Sequence, residues 1–151
     1  MNSMLPAHRD GWLTGESPGY LVKVLDTDVC IEILRGNVRV IKHRRRIPDE
    51  VVTTWITACE LAYGAAKSRN PEANQALVFA FLATLPVLGL DQRAARYFGQ
   101  IKADLEHAGN ILADADLLIA AITLAQGAQL VTGNRRHYER IAELSIEDWI
   151  R

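Results

Sequence analysis

Along the chain, short β-branched apolar runs alternate with longer segments whose apolar positions recur every three or four residues. That alternation predicts an α/β fold with a mostly parallel sheet. Five short strands are read, over Tyr20–Leu25, Val51–Thr53, Val87–Gly89, Gln129–Thr132 and Leu144–Ile146. Helices are expected over Thr27–Arg35, closed by Gly36, and over Trp55–Lys67, closed by the Ser68–Pro71 turn. Three more are expected over Glu72–Thr84, over Asp91–His107, stopped by Gly109 and Asn110, and over Asp116–Gln126, ended by Gly127. No repeat, low-complexity tract or Gly/Ser-rich linker divides the chain, so residues 20–151 read as one domain. Residues 1–19 carry His8, Arg9, Asp10 and Glu16 without an apolar core and read as a flexible N-terminal extension, neither signal peptide nor anchor.

Composition narrows the function classes. At 151 residues, 49% hydrophobic and 23% charged, the chain has globular composition and enough length for its own core. No segment is long enough to span a bilayer, and a cytoplasmic location is expected. The net charge of −1 gives no global attraction for nucleic acid, so any such binding needs a local basic patch. The only dense basic run, Lys42 to Arg46, reads as a solvated turn. Cys30 and Cys59 lack metal or redox spacing and are expected as buried, reduced thiols inside apolar helices.

The candidate chemistry lies in the carboxylates. Ligands of open parallel sheets bind beyond the carboxyl ends of the strands. Asp26 directly follows the first strand, and Glu60 lies near the start of the helix leaving the second. A helix that feeds a parallel strand begins at this same edge, which brings in Asp114 and Asp116, and Thr132, Gly133 and Asn134 follow the fourth strand. Acids clustered in this way repel one another unless a cation offsets them, and an all-oxygen set without His or Cys suits Mg²⁺ or Mn²⁺. Such ions serve phosphoryl chemistry.

Aspartates at helix starts are ordinarily caps. Asp114 is accordingly assigned to capping and Asp116 to the site; Asp26 or Asp28 alone would also suit the cap of the following helix. Glu60 lies among Ile56, Cys59, Leu61, Ala62 and Tyr63, so a buried position is expected for it, and a buried Glu without a partner is rare. Thr27 suits a hydrogen bond to a metal-bound oxygen. Arg135, Arg136 and His137 are expected at the surface, where the arginines are candidates to grip RNA phosphate.

Four segments, "LDTDVCIEIL", "ITACELAYGA", "DADLLIAAITLAQG" and "LVTGNRRHYERI", resemble in order and near spacing the PIN-domain proteins of the VapC toxin type, from about Tyr20 to the end of the chain. The resemblance implies a PIN-like three-layer α/β/α fold with a short five-stranded sheet. It implies a Mg²⁺- or Mn²⁺-dependent endoribonuclease, the toxin of a type II toxin–antitoxin pair, restrained by a small VapB-type antitoxin that also binds operator DNA. Homodimers are usual among such toxins. Asp26, Glu60 and Asp116 match the family acids as catalytic residues and metal ligands, with Thr27, Asp28, Thr132 and Asn134 auxiliary. Asn134 stands where many PIN domains carry a fourth acid, which weakens a second metal. The reaction implied is RNA hydrolysis by metal-activated water without a covalent enzyme intermediate. Two alternatives stand beside it: a catalytically silent PIN-fold module that binds RNA or a partner, and a haloacid-dehalogenase-like phosphatase reading of the "DTD" stretch, which leaves Glu60 unexplained.

Overall fold

The computed structural model describes residues 22–151; the expected extension and the first two residues of the expected first strand lie outside them. Five parallel strands form one sheet in the order β3-β2-β1-β4-β5: β1 Val22–Leu25, β2 Glu50–Thr54, β3 Val87–Leu88, β4 Gln129–Val131 and β5 Ile146–Glu147. The described residues form seven helices: α1 Thr27–Leu34, α2 Val38–Arg46, α3 Trp55–Ala66, α4 Pro71–Leu82, α5 Gln92–His107, α6 Asp114–Ala125 and the short α7 Arg135–Tyr138. Among the described residues no helix is long and apolar enough to cross a membrane.

The three layers follow from the two-residue period of the strands. Val22 and Val24 of β1 face α5 and α6, in a core with Ile101, Leu105, Leu117 and Leu130. Leu25 faces the other way, with Val29, Val40, Leu61, Phe81, Val131 and Trp149, where α1 to α4 cover the sheet. Lys23 shares the face of Leu25 and is only 9% exposed. Register places Lys23 beside Gln129 and Leu25 beside Val131, so β1 and β4 end together and the residues after them meet at one rim.

Three expectations about single elements are corrected. The basic run is not a turn but the C-terminal half of helix α2. Asn37 caps that helix by accepting from the Arg39 N–H at 3.1 Å, and Val40 is fully buried, so two local anchors outweigh the mutual repulsion of the basic side chains. Cys59 is exposed, because α3 buries the stripe Thr57, Ala58, Leu61 and Ala65 and turns its neighbours outward; Cys30 is buried as expected, and burial pushes its thiol up to about 12. Asp114 caps nothing: the N-cap position is Ala113, without a side-chain hydrogen bond, and Asp114 instead pairs with Lys102 at 2.9 Å.

The acidic rim and its family

Asp26 is the centre of the site. It follows β1 and caps α1, its Oδ1 accepting from the Thr27 N–H at 2.8 Å. Oδ2 accepts from the Thr132 hydroxyl at 2.7 Å, and that hydroxyl in turn accepts from the Asn134 N–H at 3.0 Å. Capping of α1 and a bond to the loop after β4 are therefore combined in one carboxylate. Asp26 is 3% exposed. Burial first, then the negative charges of Asp28 and Asp116, raise its pKa from 3.8 to about 7 against the opposing hydrogen bonds from Thr132 and Thr27.

Asp116 reaches the same place from the first turn of α6. The Tyr138 hydroxyl lies 3.3 Å from Asp116 Oδ1 and 3.4 Å from Asp26 Oδ1. One phenol therefore separates the two acids, and its single proton serves one of them fully at a time. Burial and the facing carboxylates hold the phenol well above its usual range, so it stays protonated. His137 Nδ1 stands 3.5 Å from the other oxygen of Asp116. Sequence reasoning missed Tyr138; the available signal was an aromatic residue spaced three from Ile141 within a polar run, both of them buried.

Glu60 is not in the apolar interior. It is exposed on α3 and accepts from the Thr27 hydroxyl at 2.6 Å. The single Thr27 proton is thereby used, so the Thr57 hydroxyl, 3.0 Å away, donates to Thr27. Thr27 thus orients the carboxylate of Glu60 instead of pointing to an open position. The expectation failed because α3 is apolar in composition but buries only one stripe, and Glu60 falls off it.

Asp28 accepts from its neighbour Val29 N–H and from the Gly133 N–H, both at 2.8 Å. Burial raises its pKa, partly offset by those two bonds. A Cβ on Gly133 would lie 2.9 Å from Asp28 Oδ2 and 3.0 Å from Ile150 Cδ1, so only glycine permits this approach. Asp28 therefore fastens the loop after β4 to α1. Asn134, Arg135 and Arg136 are exposed on that loop and α7.

Among the described residues no three His, Cys, Asp or Glu side chains form a ready cage for a metal ion. The donor set nonetheless fits Mg²⁺ or Mn²⁺. Asp26 is buried and repelled by Asp28 and Asp116, and among the described residues no basic side chain is in hydrogen-bonding reach of it. Mg²⁺ ordinarily takes one or two carboxylates and retains water on its other positions.

Residues 23–144 match the PIN domain family. The tRNA(fMet)-specific endonuclease VapC of Salmonella typhimurium is 39% identical over 127 residues, which are 83% of this chain and 96% of that protein. Ribonuclease VapC2 of Haemophilus influenzae is 34% identical over 128 residues, 84% and 97% of the two chains. In structure, the chain resembles a crystal structure of VapBC2 from Rickettsia felis bound to a promoter DNA fragment, with a TM-score of 0.80 at 29% identity, covering 85% of this chain and 98% of that one. The chain belongs to the PIN-domain family and, within it, to the VapC ribonucleases. That membership sets aside the phosphatase alternative for the "DTD" stretch.

Proposed function

We propose that this chain is a Mg²⁺- or Mn²⁺-dependent endoribonuclease and the toxin of a toxin–antitoxin pair, with Asp26, Asp116 and Glu60 as its catalytic acids. The observation that carries the reading is Asp26: a carboxylate 3% exposed, its pKa raised to about 7, across one phenol from a second acid. A nearby cation would favour the ionised form of such a group and lower its pKa.

Asp26 and Asp116 are the residues that would hold the ion, with Glu60 at the entrance. Bound there, a divalent cation supplies charge neutralisation and Lewis acidity at the scissile phosphate. The chain's own side chains fix the acids. Thr132 and the Thr27 N–H hold Asp26 by opposite oxygens, so its carboxylate plane cannot turn freely. Tyr138 keeps Asp116 in register with it, and Thr27 aims Glu60. Asn134, Arg135 and Arg136 stand exposed beside the rim, where the arginines are placed to meet RNA phosphate. The relative from Salmonella is named for transfer RNA, which makes transfer RNA the first substrate to try.

The partner is a small VapB-type antitoxin. A groove of about 380 Å³ lined by Ile31, Leu34, Leu61, Ala65, Leu77 and Val78 opens beside Glu60, and suits the apolar face of a helix whose basic residue reaches the rim. The same reading includes a homodimer and a cytoplasmic location.

Asp26→Asn and Asp116→Asn test the reading. Each variant should remain folded and lose metal-dependent RNA cleavage by about 1,000-fold or more, roughly 4 kcal/mol of transition-state stabilisation. Cleavage by both at near the unaltered rate would overturn the metal site. RNA binding without cleavage by the unaltered protein would favour the silent binding module.

A further inference from the structure

A nuclease with an acidic rim and a net charge of −1 repels its substrate unless cationic charge is concentrated on part of its surface. The ordered helix α2 provides such a concentration. Its nine residues, VRVIKHRRR, contain no acid. Val40 is buried and His43 turns inward, its ring stacked on Trp149 at 4.8 Å and its Nε2 3.2 Å from Glu147. That inner anchorage leaves Arg39, Lys42, Arg45 and Arg46 on the exposed side. Among the described residues none of the four makes an ion pair.

Helix stability does not account for all four. Cations near a helix C-terminus complement its dipole, which suits Arg45 and Arg46. Arg39 lies in the first turn, where a cation is unfavourable and where α2 has no acid to offset it. Arg39 with Lys42, and Lys42 with Arg45 and Arg46, stand at spacings of three and four, so like charges repel along one side. A helix that carries this repulsion is relieved by a polyanion. From Arg39 to Arg46 the rise is about 10 Å, the axial span of roughly three phosphates along one strand.

α2 is also coupled to the site. Trp149, on which His43 stacks, is followed by Ile150, which closes on Gly133, and by Arg151, whose guanidinium donates to the Gly133 carbonyl at 3.3 Å. Gly133 is the residue that holds Asp28. One short C-terminal segment thus joins α2 to the loop that completes the rim.

We propose that the exposed side of α2, through Arg39, Lys42, Arg45 and Arg46, is a platform that grips the RNA backbone, on a helix joined to the acidic rim through Trp149, Ile150 and Gly133. The platform rests on the ribonuclease reading and deepens it. Base identity is not read there, because exposed Lys and Arg contact phosphate without sequence information.

The test combines binding and turnover. On an Asp26→Asn background, which prevents cleavage, the fourfold variant Arg39→Gln, Lys42→Gln, Arg45→Gln and Arg46→Gln is titrated with a labelled single-stranded RNA at several salt concentrations. The slope of log Kd against log salt should fall by about 2, near 0.7 for each of the roughly three phosphates no longer neutralised. In the cleaving protein, the same four substitutions should raise KM for RNA at least about tenfold and leave kcat within about twofold. Replacing Arg39, Arg45 and Arg46 by Lys should retain the slope, because a point charge suffices. Circular dichroism checks the helix; if the fourfold variant does not fold, Arg39→Gln and Lys42→Gln singly should each lower the slope by about 0.7. An unchanged slope and KM, with the unaltered protein cleaving RNA, would overturn the platform alone and leave α2 to a protein partner. An unaltered protein that neither binds nor cleaves RNA with Mg²⁺ or Mn²⁺ would overturn both readings.

Discussion

Two regions of the molecule bury charge, and they do so in opposite ways. On the sheet face under α2, Lys23 donates to Glu147 at 2.7 Å and to Gln129 at 2.6 Å, while Trp149 Nε1 donates to Glu147 at 2.6 Å. Burial alone would raise the pKa of Glu147, but the hydrogen bonds from Lys23 and Trp149 and the charges of Lys23 and His43 outweigh it and hold the carboxyl below its ordinary value. At the rim, Asp26 is more deeply buried, yet hydroxyls and N–H groups are its partners and two acids are its charged neighbours. The first region balances its charge within the chain and is structural. The second has no cation within the described residues to balance its charge, and that imbalance is what supports reading it as a site.

The difference can be broken most directly at Lys23. Lys23→Met leaves Glu147 half-buried without its cation and should cost about 2 to 3 kcal/mol in urea unfolding. Asp26→Asn removes a repelled charge and should cost less than about 1 kcal/mol, or stabilise. Equal losses in the two variants would mean that Asp26 is structural after all.

The two regions should also respond to pH with opposite sign. In the metal-free folded protein Asp26 keeps its proton up to about pH 7, whereas the unfolded chain releases it near 3.8. The folded state then binds the extra proton, so stability falls as pH rises through that window, and Asp28, raised by burial, adds the same sign. Glu147 contributes stability that is present above its unfolded value of 4.5 and lost as pH falls through its lowered folded value. With a chelator present, unfolding between about pH 5 and 7.5 should show a loss on the order of 2 kcal/mol, most of which Asp26→Asn removes; saturating Mn²⁺ in place of the chelator should reduce it in the unaltered protein. A stability that rises over this range in the chelated protein would contradict the raised pKa.

The smallest effect should come from Tyr138, whose hydroxyl lies in reach of both Asp26 and Asp116. Tyr138→Phe keeps the buried ring and removes the hydroxyl between Asp26 and Asp116. kcat/KM should fall about three- to tenfold, near 1 kcal/mol, and its pH profile should shift as the two acids lose their shared donor. An unchanged profile would mean that the phenol only fills space.

Much of this was legible along the chain because periodicity and turn chemistry are local. Five strands, five of the seven described helices and the parallel strand arrangement follow from them, with boundaries moved by one or two residues in most elements: α6 begins at Asp114 instead of Asp116, and β5 spans Ile146–Glu147 instead of ending at Ile146. Parallel topology then brings Asp26, Asp116 and Thr132 to one rim before any side chain is placed, since strand ends and helix starts alternate edges by necessity. Which side of a helix is buried is a different kind of fact. Glu60 and Cys59 lie in an apolar sequence, but the neighbours of α3 determine that the stripe through Thr57, Ala58, Leu61 and Ala65 goes inside. The basic run became helix α2 because Val40 finds a core and His43 a ring, that of Trp149, from the far end of the chain. Tyr138 acquires its role from two acids 112 and 22 residues distant. Sequence by itself determined the strands, five of the described helices and the rim, whose causes are local. Only the tertiary structure decided exposure, pairing and the raised pKa of Asp26, because these depend on which distant groups share a low-dielectric space.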